Sequence, residues 1–197
     1  MTSFSNVRLR AMEPEDLELI YGIENDPAFW CHGVATVPYS RYALRQYLST
    51  AQNDIFKDEQ VRQVIEAQDA QGRWTAVGLA DLCNFSAMHL RAEVGIVVLA
   101  PFQQQRVATA ALIALEAYAR RLHLNQLYAV VATSNIPATR LFGQLGYQRS
   151  MCLKDWLRQD DGFVDAILFQ KPLTARPGNC DRGSCDPENC RCSERRR

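Results

Sequence analysis

Glu93-Val-Gly-Ile-Val-Val-Leu-Ala-Pro101, continued by Phe102-Gln-Gln-Gln-Arg-Val-Ala-Thr109, decides how the rest of this chain is read. Val94, Ile96, Val97, Val98 and Leu99 make a near-continuous apolar run, the pattern of a strand covered on both faces, and Pro101 stops it. From Ala108 to Leu124 the period changes: Ala108, Leu112, Leu115 and Ala119 fall on one helical stripe. Arg120, Arg121 and His123 stand near its end, where cations complement the helix dipole. Leu127 to Ala132 reads as a second buried strand. Asn135 then leads into another helix, with Pro137 in its first turn and Gly146 just beyond its last residue. Strand, polar turn, helix, strand, Asn-containing turn, helix is an order that offers a helix N-terminus and a strand end to a phosphate-bearing cofactor.

On the N-terminal side, Val7-Arg-Leu-Arg10 alternates apolar and charged residues as a half-buried strand does. Glu15 to Ile23 carries Leu17, Ile20 and Ile23 at helical spacing, and Asn25-Asp-Pro27 closes that helix. Phe29 to Tyr39 is irregular. Ser40 is the expected N-cap of a second helix, with Tyr42, Leu44, Tyr47 and Leu48 toward the core. Val61, Val64 and Ile65 mark a strand, Asp69-Ala-Gln-Gly72 a turn, Trp74 to Leu82 another strand, and Asn84 to His89 a bend. On the C-terminal side, Tyr147 to Leu153 and Val164 to Phe169 form a closing strand pair around Gln159-Asp-Asp-Gly162. The order β-α-α-β-β-β-α-β-α-β-β implies one α/β or α+β domain, a mixed sheet with helices packed on its faces.

Composition narrows the function classes. The chain has 197 residues, 47% of them apolar and 22% charged, as in an ordinary soluble protein. Lysine and arginine number 22 and so do the acids, so the zero net charge gives no reason to expect a nucleic-acid partner. No apolar run approaches the roughly 20 residues of a membrane helix, and Met1-Thr-Ser-Phe-Ser-Asn-Val-Arg8 lacks a signal-peptide core. The expectation is a cytoplasmic protein without a membrane partner, with a domain over residues 1–173 and a Cys/Arg-rich tail over 174–197. Cys31, Cys83 and Cys152 read as buried or half-buried free thiols. Cys180, Cys185, Cys190 and Cys192 crowd a tail too poor in apolar residues to order itself by burial. That tail is read as disordered and reduced, as metal-binding or redox-active, or as disulfide-linked; no metal site is assigned.

The central stretch resembles the core of the GCN5-related N-acetyltransferases, which move acetyl from acetyl-CoA to an amine. Arg8-Leu-Arg10, Glu15-Asp16-Leu17 and Glu24-Asn-Asp26-Pro27 are similar to the branch holding ribosomal-protein alanine and spermidine (diamine) acetyltransferases. The resemblance covers about residues 7–172 and implies a mostly antiparallel mixed sheet with helices on both faces, with acetyl-CoA as co-substrate. The family's cofactor turn, Gln/Arg-x-x-Gly-x-Gly/Ala, falls on Gln103, Gln104, Gln105, Arg106, Val107 and Ala108. Gln103 and Ala108 match, while Arg106 stands where glycine is usual. Backbone N–H groups from this turn through Thr109 are expected to cradle the pyrophosphate. If Arg106 had an ordinary helix-entry backbone, its side chain would be free to pair with a phosphate; a position needing φ > 0 would strain it. The resemblance further gives Ile96, Val97 and Val98 main-chain bonds to the pantetheine arm, and has the next strand splay away after Val131. Asn135 and Ala138 match the family's Asn-x-x-Ala-x-x-x-Tyr helix entry, with Asn135 either binding the pantetheine or acting only as a cap.

That alignment puts Phe142 where the family often has the tyrosine that protonates the departing thiolate, and phenylalanine has no proton to give. The thiolate then leaves unaided, takes a proton from water or a nearby hydroxyl, or the protein is a catalytically weak acyl-CoA binder or regulatory module. Tyr128 and Tyr147 read as core residues. Glu93, in an apolar setting at the start of the central strand, is the candidate base for the amine, with His89 second. The acceptor is a primary amine: a small amine, a polyamine-like metabolite or a peptide N-terminus. Phe29-Trp-Cys-His-Gly-Val-Ala-Thr-Val-Pro38 holds no carboxylate, which points away from spermidine and toward a less cationic amine. A homo-oligomer is possible.

Overall fold

The computed structural model describes residue 4 and residues 6–26, 38–159 and 162–173. The cysteine tail, Cys31 and the stretch 29–37 lie outside the described residues. Seven strands form one sheet: β1 Asn6–Ala11, β2 Val61–Gln68, β3 Trp74–Ser86, β4 Arg91–Val98, β5 Gln126–Ala132, β6 Gln148–Gln159 and β7 Gly162–Pro172, in the order β1-β2-β3-β4-β5-β7-β6. Every pairing is antiparallel except β4 with β5, whose connection crosses over through a helix. Five α-helices are described: α1 Leu17–Glu24, α2 Arg41–Thr50, α3 Ile55–Asp58, α4 Val107–Arg121 and α5 Ile136–Gln144. The expected mixed, mostly antiparallel α/β architecture is the one found.

Alternation along the strands builds two cores. Ala80 and Leu82 of β3, Ala92, Val94 and Val98 of β4 and Leu127, Ala129 and Val131 of β5 meet Ala111, Leu112 and Leu115 of α4 and Phe142 of α5. On the other face Val64 and Leu79 meet Leu17, Ile20 and Ile23 of α1 and Leu44 of α2, with Val97 and Leu99 packed alongside. β4 is therefore covered on both faces, as its apolar run implies. Burying one such Leu or Ile contributes ~2 kcal/mol, so these stripes fix which face each helix takes.

Local chemistry behaves largely as expected. Ser40 Oγ caps α2 by accepting from the Ala43 N–H, 3.1 Å. Asp69 Oδ1 accepts from the Gln71 and Arg73 N–H groups, and Gly72 takes φ +82° in that turn. Gly146, φ +81°, ends α5, with the Tyr147 N–H donating back to the Phe142 carbonyl at 3.0 Å.

Three expectations are corrected, and one element is new. Tyr42 is exposed rather than core-facing, because α2 buries only the stripe through Leu44 and half-covers Tyr47 and Leu48. Cys152 is exposed on the edge strand β6. The run before β2 contains the short helix α3, started by an Asp54 cap and anchored by Ile55. The Asn84–His89 bend begins later, since β3 runs on to Ser86 before the chain turns.

Candidate active site

β4 and β5 are paired over only three positions, Arg91↔Gln126, Ala92↔Leu127 and Glu93↔Tyr128. Beyond Glu93 the strands part, although β5 stays paired with β7 through Ala132 and β4 with β3 through Val98. The splay therefore begins at Tyr128, three residues before the expected Val131. The reason lies in the sheet: each strand keeps its outer neighbour, and only the inner ladder is given up.

That leaves one edge of β4 open. The Leu99 N–H donates to the Val77 carbonyl on β3, 2.9 Å. Main-chain groups alternate sides along a strand, so Ile96 and Val98 turn their N–H and C=O groups toward the opening. Gln103 Nε2 donates to the Val98 carbonyl at 2.9 Å and closes the far end of the slot. Its side chain braces the turn, as does that of Gln105, which donates to the Pro101 carbonyl. Val97 instead faces the second core.

The turn itself is left-handed at two positions, Gln104 with φ +59° and Arg106 with φ +61°, ψ 9°. Arg106 is thus in the backbone state that glycine serves, not in ordinary helix entry. An L-residue there costs roughly 1–2 kcal/mol. What the geometry delivers is an open helix N-terminus. The first α4 bond runs from the Ala110 N–H to the Arg106 carbonyl, and no side chain caps the helix. Val107, Ala108 and Thr109 keep N–H groups without intrahelical acceptors. The exposed Arg106 guanidinium sits beside this positive end, where a cation is disfavoured unless an anion joins it. These features fit the phosphates of a CoA thioester: a left-handed turn, uncapped N–H groups and a guanidinium with no bonded carboxylate among the described residues.

Across the slot, Asn135 Oδ1 caps α5 by accepting from the Ala138 N–H, 3.1 Å. One lone pair of its carbonyl oxygen serves the cap, and the amide Nδ2 stands ready to donate to a ligand. Phe142 is core, 3% exposed, edge-on to Tyr147 at 5.0 Å and stacked on Phe169 at 5.9 Å. Tyr147 is buried with it, and burial pushes its hydroxyl far above the ordinary range.

At the apex of the splay stands Glu93, half-buried, with Oε2 accepting from Asn84 Nδ2 at 2.8 Å. Cys83 is its register partner on β3, and burial pushes that thiol up to about 12. Tyr128 is its register partner on β5, and burial with the Glu93 charge pushes the phenol up to about 12. His89 is exposed in the turn that precedes β4. Further acids share this face of the sheet. Asp81 is bound by Arg62 through two bonds of 3.1 Å, and Arg62 also reaches Glu24 on α1 at 2.5 Å. Burial raises the Asp81 carboxyl despite that guanidinium. Gly95 opens the view to it, since a Cβ there would stand 3.4 Å from Asp81 Oδ2. The sequence offered none of Tyr128, Asp81, Arg62 and Glu24 as candidates. Strand register sets Tyr128 across from Glu93 and Asp81 across from Arg62, and the Arg62 bond brings in Glu24 from α1; nothing in their local sequence announces it.

Comparison with known proteins converges on the same fold. The acetyltransferase (GNAT) domain family model matches residues 6–148. Spermidine N(1)-acetyltransferase of Escherichia coli K12 is 27% identical over 151 residues, 75% of each chain. The spermidine N-acetyltransferase of Vibrio cholerae in complex with CoA and spermine superposes with a TM-score of 0.72 at 24% identity, over 86% of this chain and 96% of that one. A dodecameric structure of the Vibrio cholerae enzyme gives a TM-score of 0.70 at 24% identity, over 86% and 95%. No helix among the described residues is long and apolar enough to cross a membrane. A family model covering most of the sheet, together with a splayed β4–β5 pair and an open α4 N-terminus, makes this chain a member of the GNAT acetyltransferase family that uses acetyl-CoA.

Proposed function

We propose that this protein transfers acetyl from acetyl-CoA to a primary amine held over the apex of the β4–β5 splay, with Glu93 receiving the proton the amine must lose. The observation that carries the reading is the position of Glu93: last residue of β4 paired with β5, half-buried, its carboxylate oriented by Asn84. An ammonium has no lone pair, so a base at the reacting nitrogen is the group the chemistry requires. Ile96 and Val98 offer main-chain bonds to the pantetheine arm from the open edge of β4. The N–H groups of Val107, Ala108 and Thr109, with the Arg106 side chain, receive the phosphates, and Asn135 Nδ2 faces the arm from α5.

The acceptor is a cationic small amine of the diamine or polyamine kind. Glu24, Asp81 and Glu93 lie on the acceptor face with Arg62 and Arg91, and this excess of carboxylate supplies the acidity that the stretch 29–38 lacks. Relatives named as spermidine acetyltransferases make spermidine and spermine the first amines to try, and their dodecamer makes a homo-oligomer the first assembly to test. A second reading, a catalytically weak acyl-CoA binder, draws on Phe142, which leaves the family's acid position without a hydroxyl. Calorimetry with acetyl-CoA, followed by free-thiol release over a panel of polyamines, monoamines and peptide N-termini, separates the two. Turnover with Glu93→Gln lowered ~10²-fold or more supports the transferase. Binding without turnover on any amine supports the binder.

A further inference from the structure

Tyr128 is the one hydroxyl-bearing side chain paired in register with Glu93 at the apex of the splay, and Phe142 leaves the usual proton donor's place filled by an apolar ring in the core. We infer that Tyr128 is the proton donor to the departing sulfur, working as a relay from Glu93 across the β4–β5 step. The inference rests on Glu93 being the base of the acetyl transfer proposed above.

Position supports the assignment. Tyr128 is half-buried on the strand that borders the slot, on the same sheet face as Glu93 and in register with it, so that the carboxylate charge acts on its phenol. Tyr147, the other candidate, lies in the core among Phe142 and Phe169 with the Lys171 ammonium over its ring. Besides Glu93, the titratable and charged groups acting on Tyr128 are Cys83 from β3 and Arg91 from β4. Asn84 fixes one Glu93 oxygen, which leaves the other free for the phenol.

The proton count closes. The acceptor first loses one proton to water through Glu93 and becomes a neutral amine. Its nitrogen then forms the C–N bond to the acyl carbon, the C–S bond breaks with its electron pair going to sulfur, and the nitrogen's surplus proton passes to Glu93. Tyr128 gives its hydroxyl proton to sulfur and takes the proton from the Glu93 carboxyl. One N–H proton ends on the thiol, and both side chains return to their starting state. A phenol as weak as this one does not protonate a thiolate of pKa near 8.5 by itself. Coupled to transfer from a carboxylic acid, the same step runs downhill.

The test compares full-length wild type, Tyr128→Phe and Glu93→Gln, with folding checked by circular dichroism. Tyr128→Phe is expected to lower kcat ~10²-fold with KM for acetyl-CoA within about twofold. Replacing Tyr128 by difluorotyrosine, an isostere of lower pKa, should bring into the measurable range a basic limb of the kcat–pH profile that wild type and Tyr128→Phe lack, without a fold defect. Apart from turnover, the Tyr128 ring-carbon NMR titration in free protein should shift toward the ordinary tyrosine value near 10 in Glu93→Gln. Loss of activity in Glu93→Gln with kcat preserved in Tyr128→Phe would overturn the relay and leave the base in place. Activity preserved in both would overturn the base reading itself. A Tyr128 titration indifferent to Glu93→Gln would break the coupling on which the relay depends.

Discussion

Arg106 concentrates two costs in one residue: a left-handed backbone and a cation at the positive end of an uncapped helix. Arg106→Gly removes both, and is expected to raise folding stability by up to ~1 kcal/mol after the extra flexibility of glycine in the unfolded chain is counted. If the guanidinium binds phosphate, the same change weakens acetyl-CoA by roughly 10- to 100-fold, the worth of a charge-assisted bond of about 1.5–3 kcal/mol. Thermal unfolding without ligand and calorimetry with acetyl-CoA at two salt concentrations read the two effects separately. Stabilisation with unchanged affinity would make Arg106 a bystander. Asn135 teaches a related lesson at residue scale. It matches the family position, but its oxygen serves the helix, so Asn135→Asp should keep α5 capped while losing whatever the amide Nδ2 gives the ligand. An acetyl-CoA KM unchanged in that variant would leave Asn135 as a cap only.

At the scale of elements, the slot depends on β3 holding β4 from behind. Val77 is an extra residue in the β2–β3 register, and the next residue, Gly78, lies so close to β4 that an added Cβ would stand 2.1 Å from the Val97 carbonyl oxygen. Backbone cannot yield as a side-chain tip does. Gly78→Ala is therefore expected to cost ~1–3 kcal/mol and to push β4 toward the slot, raising KM for acetyl-CoA as well as lowering the melting temperature. Chemical denaturation and steady-state kinetics on the same preparation check both. Gly78 in the sequence looks like any strand glycine; its demand appears only when β4 is laid beside it. β4 and α4 were legible in advance, because continuous apolar residues and a 3.6-residue stripe are local signals. The place where β4 and β5 part was not, since it depends on how far β7 and β3 each hold their neighbour.

At the scale of the molecule, ion pairs fasten the two sides of the splay and the outer sheet. Lys171 on β7 donates to both oxygens of Glu116 on α4, at 2.8 and 2.6 Å, and to the Leu145 carbonyl, tying together elements that the open ladder would leave apart. At the far edge Arg10 on β1 grips Asp16 at 2.6 and 2.8 Å and reaches Glu66 on β2. The bond to Arg10 holds the Asp16 carboxyl below its ordinary range. A carboxylate lowered on folding stabilises the protein above its unfolded pKa, here near 3.8, and the contribution fades as pH falls through the lower folded value. Asp16→Asn should then cost ~2 kcal/mol at pH 7, less than the ~3–5 of a fully buried pair because Arg10 is 29% exposed. The gap to wild type should narrow steadily below about pH 4. Denaturation midpoints measured from pH 7 to pH 3 would show a constant gap if Asp16 contributed by packing alone.

The sequence by itself determined the elements around Glu93 to Tyr147 and their order, since hydrophobic period, turn residues and caps act over a few residues. Through the matches at Gln103, Ala108 and Asn135 it also pointed to a family. The tertiary structure alone decided that Arg106 sits at φ +61°, that Phe142 belongs to the core, and that Tyr128 stands across from Glu93 where the sheet opens. Strand register and the point of splay arise from competition among neighbours distant in sequence, and no local pattern encodes that balance.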